Sequence, residues 1–546
     1  MSPLSTPLSP LAFLARSSTA FRTKLAVVDG DRRWSFEDLA TSVQQFAEHL
    51  TACGLQPGDR VAMIAPNSAE LLIAHFAVPT AGGVLVTLNT RMAPPEILAI
   101  LEHCEAAYCF VDPAHTSRLP TQLPESLQVF LLPDAQGQVT PSPTPGVRDW
   151  GEFTAAALDD ITGWPDHSEQ DLISINYTSG TTGRPKGVMY NHRGAALNAL
   201  SQIHHQALDC HSVYLWTLPM FHCNGWCVPW AAVGTGATQV CLRAVTCETV
   251  WNLVNREGVT HLCGAPTVLN IIANGVAGRE LRHPLTVTTA GAAPTPGIIE
   301  RLVKLGITVI HVYGLTESYG PYTVCEPQTS WSNLPTHKRA RLMARQGVSM
   351  LTAEPVRVIT TDDSMTDVPA DGTTVGEIVL RGNTVTSGYF RDKAATAAAF
   401  RGGWFHTGDL AVMHPDGYIE IVDRAKDLII SGGENVSTIE VEQTLAAHPA
   451  VDDVAVVGHP DEYWGEIVVA YVVATTSVEA EALRSFARSS LAGFKIPKRI
   501  HFVNQLPMTS TGKVMKQNLR EHKIDSTTTA PTQSETSNKS VGLKVA

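Results

Sequence analysis

Residues 178 to 187 read Thr178-Ser179-Gly180-Thr181-Thr182-Gly183-Arg184-Pro185-Lys186-Gly187, which packs three glycines, four hydroxyl side chains and two cations into ten residues. Glycine lets a backbone approach an oxyanion closely and leaves its N–H groups free to point inward. Ser and Thr hydroxyls donate to phosphate oxygens or ligate Mg2+, and Lys186 supplies a point charge. An exposed flexible turn would not require this ordering, so the stretch reads as a polyphosphate cradle. It differs from the Walker A loop, because Pro185 precedes Lys186 and Gly187 follows it. Ahead of it, residues 172–177 are apolar and β-favouring and predict a strand. Behind it, Asn191 is an N-cap candidate and residues 195–208 are rich in helix formers. The loop is therefore expected between a strand and a helix.

Other groups along the chain could work with such a cradle. His222 lies in Leu218-Pro219-Met220-Phe221-His222-Cys223-Asn224-Gly225-Trp226, and an imidazole that turns or changes charge near neutral pH suits gating and orienting an anion. Cys223 and Cys227 raise the question of zinc, but no second ligand cluster with metal spacing follows them. Residues 286–290 form a short β-type run ending in Gly291-Ala292-Ala293-Pro294, where small side chains leave room for a flat ring against the backbone. A strand over 309–313 runs into Gly314-Leu315-Thr316-Glu317, so that Tyr313 offers an aromatic face, Thr316 a hydroxyl and Glu317 a hard oxygen ligand for Mg2+. Asp409 closes Trp404-Phe405-His406-Thr407-Gly408-Asp409, a turn at which a carboxylate can accept from two hydroxyls at once, and Arg424 ends a hairpin strand over 417–424. Lys513 ends Pro507-Met508-Thr509-Ser510-Thr511-Gly512-Lys513, a turn from which one cation can reach a distant cleft.

The elements that must carry these residues alternate. Ser35 and Asp38 form a capping box, Phe36, Leu39, Val43, Phe46 and Leu50 repeat at helical spacing, and Gly54 stops the run. Strands over 60–65, 83–88 and 107–111 enclose helices over 69–77 and 94–102, the pattern of βαβ units and a mostly parallel sheet. Residues 136–146 form a surface loop. Arg424-Ala425-Lys426-Asp427 reads as a joint before a C-terminal unit of credible domain size. Beyond it come the glycine turn Ser431-Gly432-Gly433-Glu434-Asn435, a second capping box at Ser437 and Glu440, strands over 454–457 and 467–474 and a helix over 478–490. The fold class expected is α/β, with a large N-terminal domain over 1–425, a small mobile α+β domain over 426–525 and a disordered tail over 526–546.

Composition sets outer bounds. A chain of 546 residues exceeds one typical core, and 44% hydrophobic with 17% charged residues is a globular balance. A net charge of -12 disfavours nucleic acid as a partner, since no broad basic face is on offer. The ten cysteines are scattered without a CxxC pair, which points to free thiols in a reducing compartment. No run of eighteen apolar residues occurs, and 227–242, interrupted by Pro229, Gly234 and Gly236, reads as buried core. Residues 1–28 contain Arg16, Arg22 and Lys24 and no acid, a pattern shared with transit peptides, and the chain ends Leu543-Lys544-Val545-Ala546, which is no Ser-Lys-Leu address. Cytoplasm is the expected location, with the mitochondrion as the alternative.

The decapeptide at 178–187 and the later motifs resemble the AMP-forming adenylating enzymes, which include acyl-CoA synthetases, luciferases and the adenylation domains of peptide synthetases. The likeness spans nearly the whole chain, and the stretch over 326–350 is similar to an insert of the short- and medium-chain acyl-activating branch; it is expected to have no catalytic role. The resemblance implies that 11–16 opens the fold instead of serving as a leader. It implies adenine against Tyr313 and Gly291-Ala292-Ala293, the α-phosphate near Thr316, Mg2+ on Thr178 and Glu317, and ribose on Asp409 with Arg424. The acyl group would lie among His222, Trp226, Gly291 and Gly314. Lys513 would bridge carboxylate and α-phosphate during adenylation. Rotation about Lys426 would then withdraw it and bring Ser431, Gly432 and Gly433 to coenzyme A. The reaction so implied joins a carboxylic acid to CoA at the expense of ATP. Transfer to a carrier-protein thiol and a non-catalytic nucleotide sensor are the rivals; no carrier domain follows residue 525, and a sensor would be expected to lack Lys513 or Glu317. Oligomeric state is open between monomer and homodimer.

Overall fold

The computed structural model describes residues 6–141, 144–155, 168–178, 185–275, 281–362, 364–432, 434–509 and 513–521. Four sheets organise them. The first has seven strands in the order Val147–Arg148, Gln128–Leu131, Ala106–Val111, Arg60–Ile64, Val84–Thr87, Leu172–Thr178 and Lys186–Asn191. All its pairings are parallel except the last, which is antiparallel. Its central strands are continuous apolar runs buried on both faces, as a parallel sheet covered by helices requires. The second sheet has nine strands, with a parallel centre from Leu25–Asp29 to Thr308–Leu315 and antiparallel strands at its edges. The chain is thus α/β with parallel-rich sheets in its large N-terminal portion, as the alternation of elements predicts.

Local signals placed several elements where they were expected. Ser35 accepts from the Asp38 backbone N–H, and the Asp38 carboxylate returns to the Ser35 N–H at 2.9 Å, so the box caps the helix Phe36–Ala52. Ser437 likewise caps Thr438–Ala446, but only half of the second box forms, because the Glu440 carboxylate is drawn to Lys495 Nζ at 2.7 Å. Residues 227–242 are core, split by Gly236 into the helix Val228–Thr235 and the strand Thr238–Cys241.

One expectation fails at the loop itself. The chain leaves it as a strand, Lys186–Asn191, antiparallel to Leu172–Thr178 with Thr178 opposite Lys186, and only then enters the helix His192–Gln206 capped by Asn191. The loop therefore joins two strands. Val188 and Tyr190, fully buried, favour the pleated surface over a helical start.

A four-stranded antiparallel sheet, Arg357–Ile359, Val375–Leu380, Phe405–Met413 and Ile419–Arg424, carries Asp409 and Arg424 on adjacent strands as directly paired residues. Part of the insert over 326–350 is buried. Arg345, buried, reaches Asp416 with two bonds of 3.1 and 2.9 Å and lies over the rings of Trp331 and Tyr418. Gln346 Oε1 accepts from the Ile421 N–H at 2.7 Å, so the insert braces the strand that ends in Arg424. The last sheet holds Ile429–Ser431, Glu434–Val436, Val451–Asp461, Gly465–Ala474 and Arg499–Phe502, backed by Thr438–Ala446 and Ala480–Arg488.

Candidate active site

The cleft is assembled from strand ends. Leu172–Thr178 ends in Thr178, and Pro185 and Lys186 follow the loop; Ser179, Gly180, Thr181, Thr182, Gly183 and Arg184 lie outside the described residues. The strand Thr308–Leu315 contains Tyr313 and Gly314 and tightens into a single turn over Thr316–Ser318, pinned by Ser318 Oγ, which accepts from the Leu315 N–H at 2.9 Å. Gly314 is demanded by backbone approach, since a Cβ there would lie 1.9 Å from the Gly320 carbonyl oxygen.

Glu317 projects from this turn. Its Oε1 accepts from the Tyr389 hydroxyl at 2.9 Å, and Lys186 Nζ lies 4.7 Å from the centre of the same ring. Burial raises the Glu317 carboxyl above the ordinary range, against the pull of its hydrogen bonds and of Arg424 and Lys186. Among the described residues no group of three or more His, Cys, Asp or Glu could hold a metal. A half-buried carboxylate near Lys186 fits Mg2+, which is held through one or two carboxylates plus substrate phosphates.

Around the ribose candidates, Tyr313 donates to Asp409 Oδ2 at 2.7 Å and Arg424 Nε sits 3.1 Å from Asp409 Oδ1. Gly408, at φ +71°, turns the chain into this geometry, and its N–H is held by Glu377 Oε1 at 3.0 Å while Glu377 Oε2 takes His406 Nδ1 at 2.8 Å. Neither Tyr389 nor the Glu377–His406 pair stood out in the sequence. Tyr389 and Glu377 lie far along the chain from what they support, and Tyr389, directly after Ser387-Gly388, had the only local signal of the two.

The His222 segment is stapled to the first sheet. Asn67 spans Trp216 and Leu218 carbonyls at 2.8 and 3.0 Å, and Thr87 Oγ1 donates to the Phe221 carbonyl at 3.0 Å. Five successive residues from Cys223 to Cys227 have φ between 48° and 63°. Left-handed backbone costs roughly 1–2 kcal/mol for each L-residue. The run is held by Asn224 Oδ1, which accepts from Ser174 Oγ and Asn176 Nδ2 at 2.7 and 2.6 Å. Its end places Trp226 against Gly320, whose missing Cβ would come within 2.9 Å of the indole. Cys223 Sγ donates to Thr316 Oγ1 at 3.3 Å and ties this run to the Glu317 turn. Burial, assisted by the Lys513 charge, pushes His222 down to about 4. A change of charge near neutral pH, expected from an imidazole in water, is thereby removed; His222 serves as a neutral ring.

Lys513 enters from the C-terminal unit. A Cβ on Gly291 would lie 3.4 Å from Lys513 Cε, so the lysine passes directly beside this residue, and the φ of +91° there is what calls for glycine. Burial lowers the Lys513 pKa, as does Arg424, while Asp409, Cys223 and Glu317 oppose the shift. Ala292, exposed, and Ala293, half-buried, follow it. Gly432, at φ +61°, packs without a Cβ on Trp464, and its N–H donates to the Trp464 carbonyl at 2.8 Å; Ser431 is buried beside it, and Gly433 lies outside the described residues.

The charges of Lys186 and Lys513 both act on the half-buried Glu317, and Asp409, bonded to Tyr313 and Arg424, lies within the same field. The sequence profile described as AMP-binding enzyme matches residues 14–390, and that of the AMP-binding enzyme C-terminal domain matches 440–513. An acetate–CoA ligase of Humulus lupulus is 42% identical over 543 residues, with 94% of each chain covered. A 4-hydroxybutyrate–CoA ligase of Metallosphaera sedula is 42% identical over 523 residues, again with 94% of each covered. Among solved structures, ATP-bound MatB of Rhodopseudomonas palustris superposes with a TM-score of 0.80 at 27% identity, covering 94% of this chain and 99% of that one. The chain belongs to the AMP-binding enzyme family, as an AMP-forming acyl-CoA synthetase.

Proposed function

We propose that the chain activates a small carboxylic acid, short- to medium-chain, branched or aromatic, in two steps about one cleft. The carboxylate attacks the α-phosphorus of ATP, pyrophosphate leaves with the P–O electron pair, and an acyl-adenylate remains. The CoA thiol then attacks the acyl carbon, loses its proton, and AMP departs. The observation that supports this reading most is Lys513 reaching from the C-terminal unit to Gly291, within the field of Glu317, Asp409 and Arg424.

In the first step Lys186 and the loop hold the β- and γ-phosphates, and Lys513 bridges the incoming carboxylate and the α-phosphate. Glu317, with the Thr178 hydroxyl, would hold Mg2+, which when bound neutralises charge on the phosphates. Positioning and charge neutralisation are the main contributions, because phosphoryl-type transition states spread negative charge over oxygens. Asp409 and Arg424 orient the ribose, Tyr313 the adenine. His222, kept neutral, can donate or accept toward the acid without adding charge. Trp226 bounds the acyl pocket.

For the second step the reading divides the chain into a domain over 1–425 and a mobile one over 426–525, hinged at Lys426. Among the described residues, bonds across that joint include the Asp427 and Leu428 N–H groups on the Arg424 carbonyl at 2.8 and 3.0 Å, the Thr438 N–H and hydroxyl on Asp423 Oδ2 at 2.6 and 2.8 Å, and Ser437 Oγ on the Val422 carbonyl at 2.5 Å. Beside the Gly432 turn, Tyr463 is 83% exposed and Lys498 Nζ lies 5.3 Å above the Trp464 ring. Exposed aromatic faces with a cation suit the nucleotide end of CoA. The free thiols fit a reducing compartment, the cytoplasm first and the mitochondrion second, and among the described residues no helix is long and apolar enough to cross a membrane. Monomer and homodimer both remain compatible with this reading.

The test is release of AMP and pyrophosphate across acetate, butyrate, 2-methylpropanoate, longer straight-chain and aromatic acids, with and without CoA. Acid-dependent pyrophosphate followed by thioester only with CoA is expected. Pyrophosphate without thioester in CoA would turn the reading to a carrier-protein acceptor, and no acid-dependent pyrophosphate would end it.

A further inference from the structure

Tyr389 occupies a place that the reaction scheme above leaves without a role. The segment around it is stitched to both halves of the phosphate site. Thr386 N–H donates to the Glu317 carbonyl at 2.7 Å, and Thr386 Oγ1 donates to the Met189 carbonyl at 2.8 Å. Phe390 N–H donates to the Gly187 carbonyl at 2.7 Å, and Tyr389 bridges Val188 across the strand that begins at Lys186. On its other side the Tyr389 N–H donates to Thr396 Oγ1 at 2.9 Å, anchoring the turn to the helix Lys393–Ala399. The backbone under this ring is therefore fixed relative to both charged residues.

The side chain does the same work at closer range. Its hydroxyl holds one oxygen of Glu317 and its ring face carries the Lys186 ammonium, and among the described residues Lys186 and Glu317 form no ion pair with each other. A half-buried acid and a half-buried lysine that share one ring as neighbour would otherwise be drawn together and leave neither wholly free for a ligand. We propose that Tyr389 is a positioning residue for ATP binding: its hydroxyl aims Glu317 and its ring seats Lys186, which keeps the two opposite charges apart and both turned to the triphosphate. The inference rests on the reading of Glu317 and Lys186 as the metal and phosphate contacts.

Tyr389→Phe removes the hydroxyl and keeps the ring; Tyr389→Leu removes both. The readout is ATP binding to the full-length chain by calorimetry, with Mg2+ and with the metal chelated. For Phe, the gain in ATP affinity on adding Mg2+ should shrink by about tenfold, the scale of one hydrogen bond to a charged group, while metal-free ATP binding is unchanged. For Leu, metal-free binding should weaken as well, because Lys186 loses its seat. Glu317→Gln should abolish the Mg2+ gain, and adding Tyr389→Phe to it should cost nothing further, as coupled residues behave. Melting temperatures confirm that each variant folds. A Mg2+ gain retained in Tyr389→Phe but lost in Glu317→Gln overturns the role of Tyr389 alone. A gain retained in Glu317→Gln overturns the metal assignment beneath it. A Phe variant that weakens both kinds of binding, additively with Glu317→Gln, marks Tyr389 as a general structural residue and also overturns the proposal.

Discussion

Lys186 and Lys513 both reach the cleft, but the first is built into a sheet and the second is carried on a turn. Lys186 begins a strand registered opposite Thr178; its neighbour Gly187 is so closely packed that a Cβ would lie 2.9 Å from Ile175, and Phe390 pairs with it from the other side. Lys513 closes a turn on itself: the Thr509 N–H donates to the Lys513 carbonyl at 2.6 Å, the Lys513 N–H donates to Thr509 Oγ1 at 3.0 Å, and Met508 bridges Val514. The Lys513 N–H and carbonyl are thus both paired with Thr509, inside the C-terminal unit. A cation fixed in a sheet needs no reorganisation and suits a group that must be held in place before the first step begins, the triphosphate. A cation whose backbone partners lie in its own unit can leave without unmaking its support, which suits a charge required in one step only.

The sharpest break of this contrast is Lys513→Ala. Pyrophosphate release on mixing with ATP and acid should fall by about 10² to 10³, the scale of losing one preorganised charge-stabilising donor, while supplied acyl-adenylate plus CoA still gives thioester. Loss of both half-reactions in a folded variant would place Lys513 with Lys186 as a fixed part of the site.

Lys426→Pro tests whether the turn moves. Proline fixes φ and removes an N–H at the joint. Where Arg520 reaches both the Lys426 carbonyl at 3.4 Å and Asp427 at 2.6 Å, the change should trap one arrangement. A joint trapped for adenylation gives a burst of pyrophosphate that CoA cannot sustain. One trapped for thioester formation gives no burst but consumes supplied adenylate. Equal slowing of both half-reactions would remove Lys426 from the role of hinge.

The smallest expected effect is on pH dependence. Lys513 must be charged to neutralise its ligands, and burial followed by Arg424 lowers its pKa from the ordinary 10.5. The adenylation kcat/KM, which reports the free enzyme, should therefore fall as pH rises through a value below that of an ordinary lysine. Lys513→Arg should move this alkaline limb upward, whatever its effect on rate. An unmoved limb would assign it elsewhere. His222, already neutral above about 4, contributes no limb near neutrality.

Much of the site was legible because its signals are local. The hydroxyl–glycine–lysine order of 178–187, the Thr316-Glu317 turn and the Gly408-Asp409 turn each compress their chemistry into a few residues. Even so, the helix expected directly behind the loop is preceded by a strand, because the pairing of 186–191 with 172–178 outweighs local propensity. Nothing in sequence sets Arg345 apart from the other arginines of the insert over 326–350; it is buried by Trp331, Tyr418 and Asp416, partners up to 73 residues away.

What the amino-acid sequence determined by itself is which groups can bind a nucleotide and in what order they occur, since glycine, hydroxyl, carboxylate and cation carry their chemistry wherever they stand. It also determined the alternation of strands and helices that makes the large portion a parallel-rich α/β structure, because side-chain periodicity is a local property. Only the tertiary structure decided how those groups are tuned. It set His222 neutral by burial, turned 223–227 left-handed through Asn224, placed Tyr389 between Lys186 and Glu317, and brought Lys513 to Gly291. Desolvation, strand register and the meeting of residues hundreds of positions apart exist only once the chain has packed, so no stretch of sequence can state them alone.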